Sequence, residues 1–461
     1  MLREPLDRSI FRAYDIRGIA GKTLREEDVY LIGKAFGSLV REKGFTHVAM
    51  ARDGRLSGPL FSTALRNGLL ASGCDVTDLG MAPTPVLYFA AQSLPGRSGV
   101  MLTGSHNPAN YNGLKMVVNG IALAEDVIQE LYQRIQENRF THGSGVCHEL
   151  DVVNNYIQRI TENVRLKRPL KIVVDAGNGV TGMLVAPLFK ALGCEVIELF
   201  CEVNGDFPNH EPDPSEAHNL QDLIHAVRAE QADIGLAFDG DGDRLGVVTN
   251  KGDVICADRL LMLFAQSILA EKPGAKIVFD VKCTNHLAAL IKQHGGEPIM
   301  WRTGHSLIKA KLAETNAQLA GEMSGHFIFS DRWYAFDDAL YAGARMLEIL
   351  ANEQPGDDRL FSSIPNSVNT PELKVLVTEN EKFQLMQRLI DQADFVSAKE
   401  IMTIDGLRVS FTEGWGLLRP SNTSPYLVLR FEATNEAILA HIQTLFREWM
   451  LSVKPDFVLP F

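Results

Sequence analysis

The sequence predicts an α/β protein: three similar α/β domains with mixed, largely parallel sheets, then a smaller C-terminal α+β domain. Three observations predict it. A strand–loop–helix–strand unit occurs three times, composition shifts sharply at 352–372, and the pattern after that shift is of short strands and helices. The 461 residues give room for about three domains at roughly 150 residues each. A chain with 46% apolar and 22% charged residues buries sizeable cores.

The first unit is HVAMARDGRLSG, the amphipathic run LFSTALRNGLLASG and then CDVTDLG. The second is KIVVDAGNGVTG, LVAPLFKALG and CEVIELF, and the third is KIVFDVKCTNH, LAALIKQHGG and EPIMWRTG. Each is a short apolar strand ending near an Asp, a polar loop, a helix stopped by glycine and a second strand, which implies a right-handed parallel crossover. The units lie too far apart for a solenoid. The segments THGSGVCHEL (141–150) and VTNKGDV (248–254) separate them, which favours separate domains over one large sheet. The stretch 352–372 reads as a linker. After it come ELKVLVT (strand), EKFQLMQRLIDQ (helix), EIMTIDGLRVSF (hairpin about Asp405-Gly406), YLVLRFEA (strand) and NEAILAHIQTLFREWM (helix), an α+β unit with a mainly antiparallel sheet. The expected limits are 1–150, 151–252, 253–365 and 366–461.

A net charge of −12 argues against generic nucleic-acid binding and requires a local cation cluster for any anionic substrate. The N-terminus lacks a signal-peptide pattern, and LLMLFAQSILA (260–270) is too short to span a bilayer, so no membrane partner is expected. The six cysteines form no Cys-x-x-Cys and read as reduced core residues of a cytoplasmic protein.

Four loops carry the polar chemistry. In MLTGSHNPANYNG (101–113), Ser105 stands at the tip of a polar turn, the exposed setting a nucleophile requires. In FDGDGDRLGVV (238–248), Asp239, Asp241 and Asp243 alternate with glycines. Three carboxylates so close repel unless a cation sits among them. An EF-hand fails, because Arg244 and Asn250 stand where Gly and Glu belong; hard oxygen ligands favour Mg²⁺ with a phosphate oxygen, beside the Arg244 cation. In LAGEMSGHF (319–327), Glu322, Ser324 and His326 suit sugar hydroxyls, although a strand-end turn explains the loop about as well. In LLRPSNTSPY (417–426), Arg419, Ser421, Asn422 and Thr423 form a phosphate cradle in type, with a polar hairpin as the alternative. Taken singly, Arg17, Lys115, Lys282 and His305 are ordinary turn or strand-end residues; together they supply the cations an acidic protein needs around an anion.

These loops, in this order and over essentially the whole chain, resemble the signatures of the α-D-phosphohexomutase superfamily: TGSHNP, DGDGDR, GEMSGH and RPSNTSP, with FRAYDIRG and RTGHS. Within it the sequence looks most like the bacterial phosphomannomutase/phosphoglucomutase group, because Met323 stands where phosphoglucosamine mutases usually carry Gln. Arg302, where close relatives have Lys, and Pro420 are small departures. The resemblance implies four domains around a central cleft and a phosphate on Ser105. It implies one Mg²⁺ held by Asp239, Asp241, Asp243 and the phosphoserine. Arg419, Ser421, Asn422 and Thr423 would bind the non-reacting phosphate. The 322–326 loop (Glu322, Met323, Ser324, Gly325, His326) would read sugar hydroxyls. Arg17, His106, Lys115, Arg244, Lys282 and His305 would line the cleft with Tyr14 near the sugar. The implied reaction interconverts hexose 1- and 6-phosphates of mannose and glucose through a 1,6-bisphosphate, in a monomer. Lys115 and His305 are the alternatives for the general base.

Overall fold

The computed structural model describes residues 5–356, 359–378, 381–422 and 424–461. In the first domain, strands β1 (His47–Arg52) and β2 (Asp75–Met81) are parallel and joined through the helix Gly58–Ala71. Strand β3 (Gly99–Leu102) lies parallel to β1 and antiparallel to β4 (Tyr111–Val118). In the second domain, β5 (Lys171–Asp175) and β6 (Glu195–Leu199) are the parallel pair. There β7 (Ile234–Phe238) lies parallel to β5 and antiparallel to β8 (Leu245–Thr249). In the third, β9 (Lys276–Asp280) and β10 (Glu297–Trp301) are parallel. Strand β11 (Leu319–Gly321) runs parallel to β9 and antiparallel to β12 (Phe327–Phe329). One spatial order therefore recurs: β4-β3-β1-β2, β8-β7-β5-β6 and β12-β11-β9-β10. The repeated units are separate sheets, as the polar separators imply.

The fourth domain is antiparallel, with β13 (Leu407–Ser410), β14 (Gly414–Pro420) and β15 (Tyr426–Ala433) backed by the helices Lys382–Asp391 and Glu436–Val453. The Asp405-Gly406 turn forms as expected, with Gly406 at φ +81°, a conformation glycine adopts without penalty. The stretch read as a linker is partly built into the fold: Phe361 is buried, and Val368–Asn369 already pairs with β15.

Apolar packing divides the molecule unequally. One continuous core joins the first three domains, with Met101 from the first, Phe189 and Phe238 from the second and Phe264 and Phe327 from the third. The helix Ala257–Glu271, which contains LLMLFAQSILA, is part of it; among the described residues no helix is long and apolar enough to cross a membrane. The fourth domain keeps its own core around Leu407, Phe431 and Phe446. It meets the third through a small apolar seam, Val281 against Trp415 and Leu417, and through arginines. Arg408 lies 3.7 Å from the Trp415 ring centroid and donates to the carbonyls of Val281 and Cys283, and Arg430 pairs with Asp258 at 3.3 Å. All six cysteines are free thiols; Cys74, Cys194 and Cys283 are buried, whereas Cys147, Cys201 and Cys256 are only half-buried.

An aromatic junction locks the shared core. Asp338 caps the helix Ala339–Leu350 by accepting from Tyr341 N at 2.9 Å, and also accepts from the Tyr156 hydroxyl at 2.8 Å and Trp333 Nε1 at 3.0 Å. Tyr156, on the helix Val153–Asn163, packs edge-on against Phe89 of the first domain, with centroids 5.5 Å apart. Burial pushes the Asp338 carboxyl up to about 7 despite these donors. Its pKa is raised on folding, so the folded chain holds a proton that the unfolded chain has released between about pH 4 and 7, and the stability this proton contributes is lost as pH rises through that window. Asp338→Asn does not titrate. The gap in melting temperature between wild type and Asp338→Asn should therefore shrink from pH 5 to pH 8 in parallel thermal melts, and a constant gap would contradict the assignment.

Candidate active site

All four polar loops emerge where one strand turns back antiparallel to the next: between β3 and β4, β7 and β8, β11 and β12, and β14 and β15. The strand-ending Asp organises such a loop in the first and third repeats, and only the turn after its own strand in the second. Asp53 accepts from Thr103 Oγ1 at 2.7 Å and Gly104 N at 3.1 Å. Asp175 accepts from Gly177 N at 2.9 Å, and Asp280 accepts from Thr303 Oγ1 at 3.1 Å and Met323 N at 3.3 Å.

Ser105 adopts φ +49°, a region costly for a residue with a side chain. Its hydroxyl donates to Asp239 Oδ2 at 2.8 Å and lies 3.1 Å from His106 Nδ1. Contrary to the exposed setting expected, Ser105 is only 1% exposed. The metal-loop backbone lies directly on it, and a Cβ at Gly240 would come within 2.5 Å of the Ser105 carbonyl oxygen, so this contact requires glycine. His106 is held well below the usual histidine range, by burial and by the Arg244 and Arg17 cations.

The metal loop is the electrostatic centre. Carboxylate oxygens of Asp239, Asp241 and Asp243 lie within 4.8 Å of one another, all fully buried. Asp239 Oδ1 accepts the backbone N–H groups of Gly242, Asp243 and Arg244 at 3.0–3.1 Å, which folds the loop around it. Lys115, projecting from β4, donates to Asp241 Oδ2 at 2.7 Å and to Asp243 Oδ2. Asp241 Oδ1 and Asp243 Oδ1 remain buried without a hydrogen-bond partner. Burial and the charges of Asp243 and Asp241 push the Asp239 carboxyl well above its usual range. Burial opposes charge on Lys115, but Asp241 and Asp243 outweigh it and raise its pKa. Hard oxygen donors, two of them orphaned, around a site already shared with an ammonium group fit a divalent cation such as Mg²⁺.

Two histidines stack beside this centre, His305 over His326 with centroids 5.3 Å apart. Arg244 Nε donates to His326 Nε2 at 3.1 Å, so the His326 ring proton belongs on Nδ1, facing Asp337 Oδ2 at 3.2 Å. His305 Nδ1 lies 3.3 Å from the same oxygen. Burial and the Lys309 cation lower His305 to about 4, with Asp337 opposing. Lys309 donates to Asp337 Oδ1 at 2.7 Å. Sequence reasoning missed Asp337 and Lys309: Asp337 sits in FDDAL beside the helix cap Asp338, and nothing in that spacing separates the two.

The remaining cations each rest on a carboxylate. Lys282 pairs with Glu372 at 2.5 Å and Arg419 Nε with Asp405 at 3.0 Å, while Arg17 is held by Asp15 and Asn107. Lys282, first, and burial in opposition leave Glu372 at about 2, as the ammonium contact outweighs desolvation. Glu322 Oε1 accepts from Gly304 N, Met323 Sδ receives Arg430, Gly325 takes φ +96°, and Ser324 is half-buried at the loop edge. Ser421 is buried, and Asn422 donates to the Tyr14 hydroxyl, which bonds Thr303 O at 3.3 Å. Thr423 lies outside the described residues. Arg302 pairs with Glu125 at 2.7 Å.

Sequence models of phosphoglucomutase/phosphomannomutase match in series: α/β/α domain I at 8–142, II at 154–252, III at 257–366 and the C-terminal domain at 372–448. The chain belongs to the phosphoglucomutase/phosphomannomutase family. It is 53% identical over 453 residues to the phosphomannomutase/phosphoglucomutase of Pseudomonas putida, covering 98% of each chain. It is 52% identical over 457 residues to a phosphoglucomutase of Neisseria meningitidis serogroup A, covering 98% of this chain and 99% of that one. A crystal structure of a phosphoglucomutase/phosphomannomutase family protein from Burkholderia thailandensis superposes with TM-score 0.95 at 55% identity, over 99% of this chain and 100% of that one.

The shared ammonium site generates a test of metal binding in this family member. Lys115→Met removes the only cation drawn between Asp241 and Asp243 among the described residues. In EDTA it should cost about 3–5 kcal/mol of stability, the usual penalty of an uncompensated buried charge. Mg²⁺ should raise the melting temperature of Lys115→Met more than that of wild type. Equal Mg²⁺ shifts in thermal melts would rule out a cation site shared with Lys115.

Proposed function

We propose that the protein interconverts hexose 1-phosphates and 6-phosphates, of both mannose and glucose, by passing a phosphoryl group between Ser105 and the sugar through a 1,6-bisphosphate. The observation that carries this reading is Ser105 itself, a buried hydroxyl 2.8 Å from Asp239 where the serine loop meets the metal loop. The names of the relatives support the same chemistry.

Mg²⁺, held by Asp239, Asp241, Asp243 and the phosphorylated Ser105, would supply charge neutralisation for the phosphoryl oxygens. The chain's own groups do the rest. A sugar hydroxyl forms a bond to phosphorus as the bond to Ser105 Oγ breaks. Arg17, Lys115 and Arg244 face the charge in transit, which is the main demand of phosphoryl transfer. The hydroxyl proton needs an acceptor. Of the two alternatives, His305 is favoured, because burial and Lys309 keep it neutral while Lys115 is committed to Asp241 and Asp243. The bisphosphate then turns over and returns its other phosphoryl group to Ser105.

The second phosphate is assigned to Arg419, Ser421, Asn422, Thr423 and Lys282. Asp405 and Glu372 hold Arg419 and Lys282 in place meanwhile. Glu322, with Ser324 and His326, is assigned to sugar hydroxyls. Glucose and mannose differ only at C2, so a loop that reads other hydroxyls accepts both and tolerates both orientations. Closure of the fourth domain over the ligand is consistent with its separate core. A monomeric, cytoplasmic enzyme without nucleic-acid or membrane partners suits the free thiols and acidic charge.

The test is conversion of glucose 1-phosphate, with a trace of glucose 1,6-bisphosphate, to glucose 6-phosphate. Release of free phosphate would indicate a phosphatase instead, and no reaction a sensor. Ser105→Ala should fall to the background rate while remaining folded; wild-type turnover in that variant would end the phosphoserine reading. Glu322→Ala should weaken turnover of glucose and mannose phosphates alike, by about 1.5–3 kcal/mol for a lost charge-assisted hydrogen bond. Loss on one sugar alone, in kcat/KM measurements, would make the loop a C2 selector.

A further inference from the structure

Arg55, in the RDGR stretch just after β1, is 1% exposed and has every guanidinium nitrogen engaged. Nη2 donates to the carbonyl oxygens of Ser105 at 2.7 Å and Asn107 at 2.6 Å. Nη1 donates to those of Pro108 and, at 3.0 Å, Tyr111. Nε donates at 3.1 Å to Asp53 Oδ2, the same oxygen that accepts from Thr103 Oγ1 and Gly104 N. One ion pair thus grips the serine loop from Thr103 to Tyr111. Gly104 lies against the guanidinium so closely that an added Cβ would overlap Cζ. The Phe207 ring, from the second domain, stands 5.1 Å from Cζ.

This clamp answers a question left by the backbone. Ser105 sits at φ +49°, where a side chain is disfavoured, and such a conformation persists only when its surroundings over-determine it. The rigid fork of an arginine can serve several carbonyls at once; a lysine ammonium is a compact point charge and cannot span them. We propose that Arg55 is a positioning residue for Ser105: it holds the strained loop so that the hydroxyl stays aimed at the metal loop, without touching the substrate. The proposal rests on the reading of Ser105 as phosphoryl carrier.

The experiment compares wild type, Arg55→Ala and Arg55→Lys with glucose 1-phosphate as substrate. Both variants should lose about 100-fold in kcat, the usual effect of misplacing a reacting atom by an ångström, with KM within about threefold of wild type. Lysine should not rescue, whereas millimolar guanidinium chloride should restore part of the activity of Arg55→Ala. Hydrogen exchange of the 104–111 amides should quicken in Arg55→Ala while the β1 and β3 amides stay protected. This measurement needs no turnover, so it judges the clamp even if the wild type proves inactive, an outcome that would sink only the mutase reading. Full activity in Arg55→Lys, loss confined to KM, unchanged exchange in the loop, or failure of both variants to fold would each overturn the proposal.

Discussion

Three buried carboxylates within 4.8 Å of one another are the constraint on which the rest of the site depends. Such a cluster is intolerable in a low-dielectric interior unless cations surround it. The fold supplies them from two directions, Lys115 from β4 and Arg244 from the metal loop itself, and sets the His326 ring of the third domain beside them. Each comes from a different part of the chain, so the cleft assembles only when the first three domains are packed together. The continuous core beneath them does that packing. Electrostatics at the surface of the cleft and apolar burial below it are therefore one design, since neither arrangement is stable without the other.

The same logic explains the pairing of the remaining cations. Lys282 rests on Glu372 and Arg419 on Asp405. Any anion bound there would meet groups already oriented, and would have to compete with carboxylates for them. Such competition would temper affinity. The fourth domain takes part through a small apolar seam, Val281 against Trp415 and Leu417, flanked by the arginine contacts, and not through the continuous core that joins the other three.

Much of this was legible in the sequence. The repeated strand–helix–strand units carry their own periodicity and turn signals, so the parallel pairs and the antiparallel tail followed from local chemistry. Alternating Asp and Gly announced a cation site because repulsion between neighbours is a local property. Burial was not legible. Ser105 looked like an exposed loop tip because the element that covers it, Gly240, lies 135 positions away in the chain. Asp337 escaped for a similar reason. Its value lies in facing two histidines and a lysine brought together by tertiary packing, while its neighbour Asp338 carries the recognisable helix-cap signal.

The recurrence of one strand order three times has a consequence for how such a molecule changes over time. Each hairpin enters and leaves its sheet at the same place, so the loop it carries is an interchangeable cassette on a constant chassis. The serine loop, the three-carboxylate loop and the Glu322–His326 loop occupy equivalent slots. Duplication of one ancestral unit would supply the chassis, and divergence confined to a few residues per slot would supply a division of labour. New specificities in this architecture are then most cheaply reached by rewriting a single cassette, because the sheets that deliver the other two need not move.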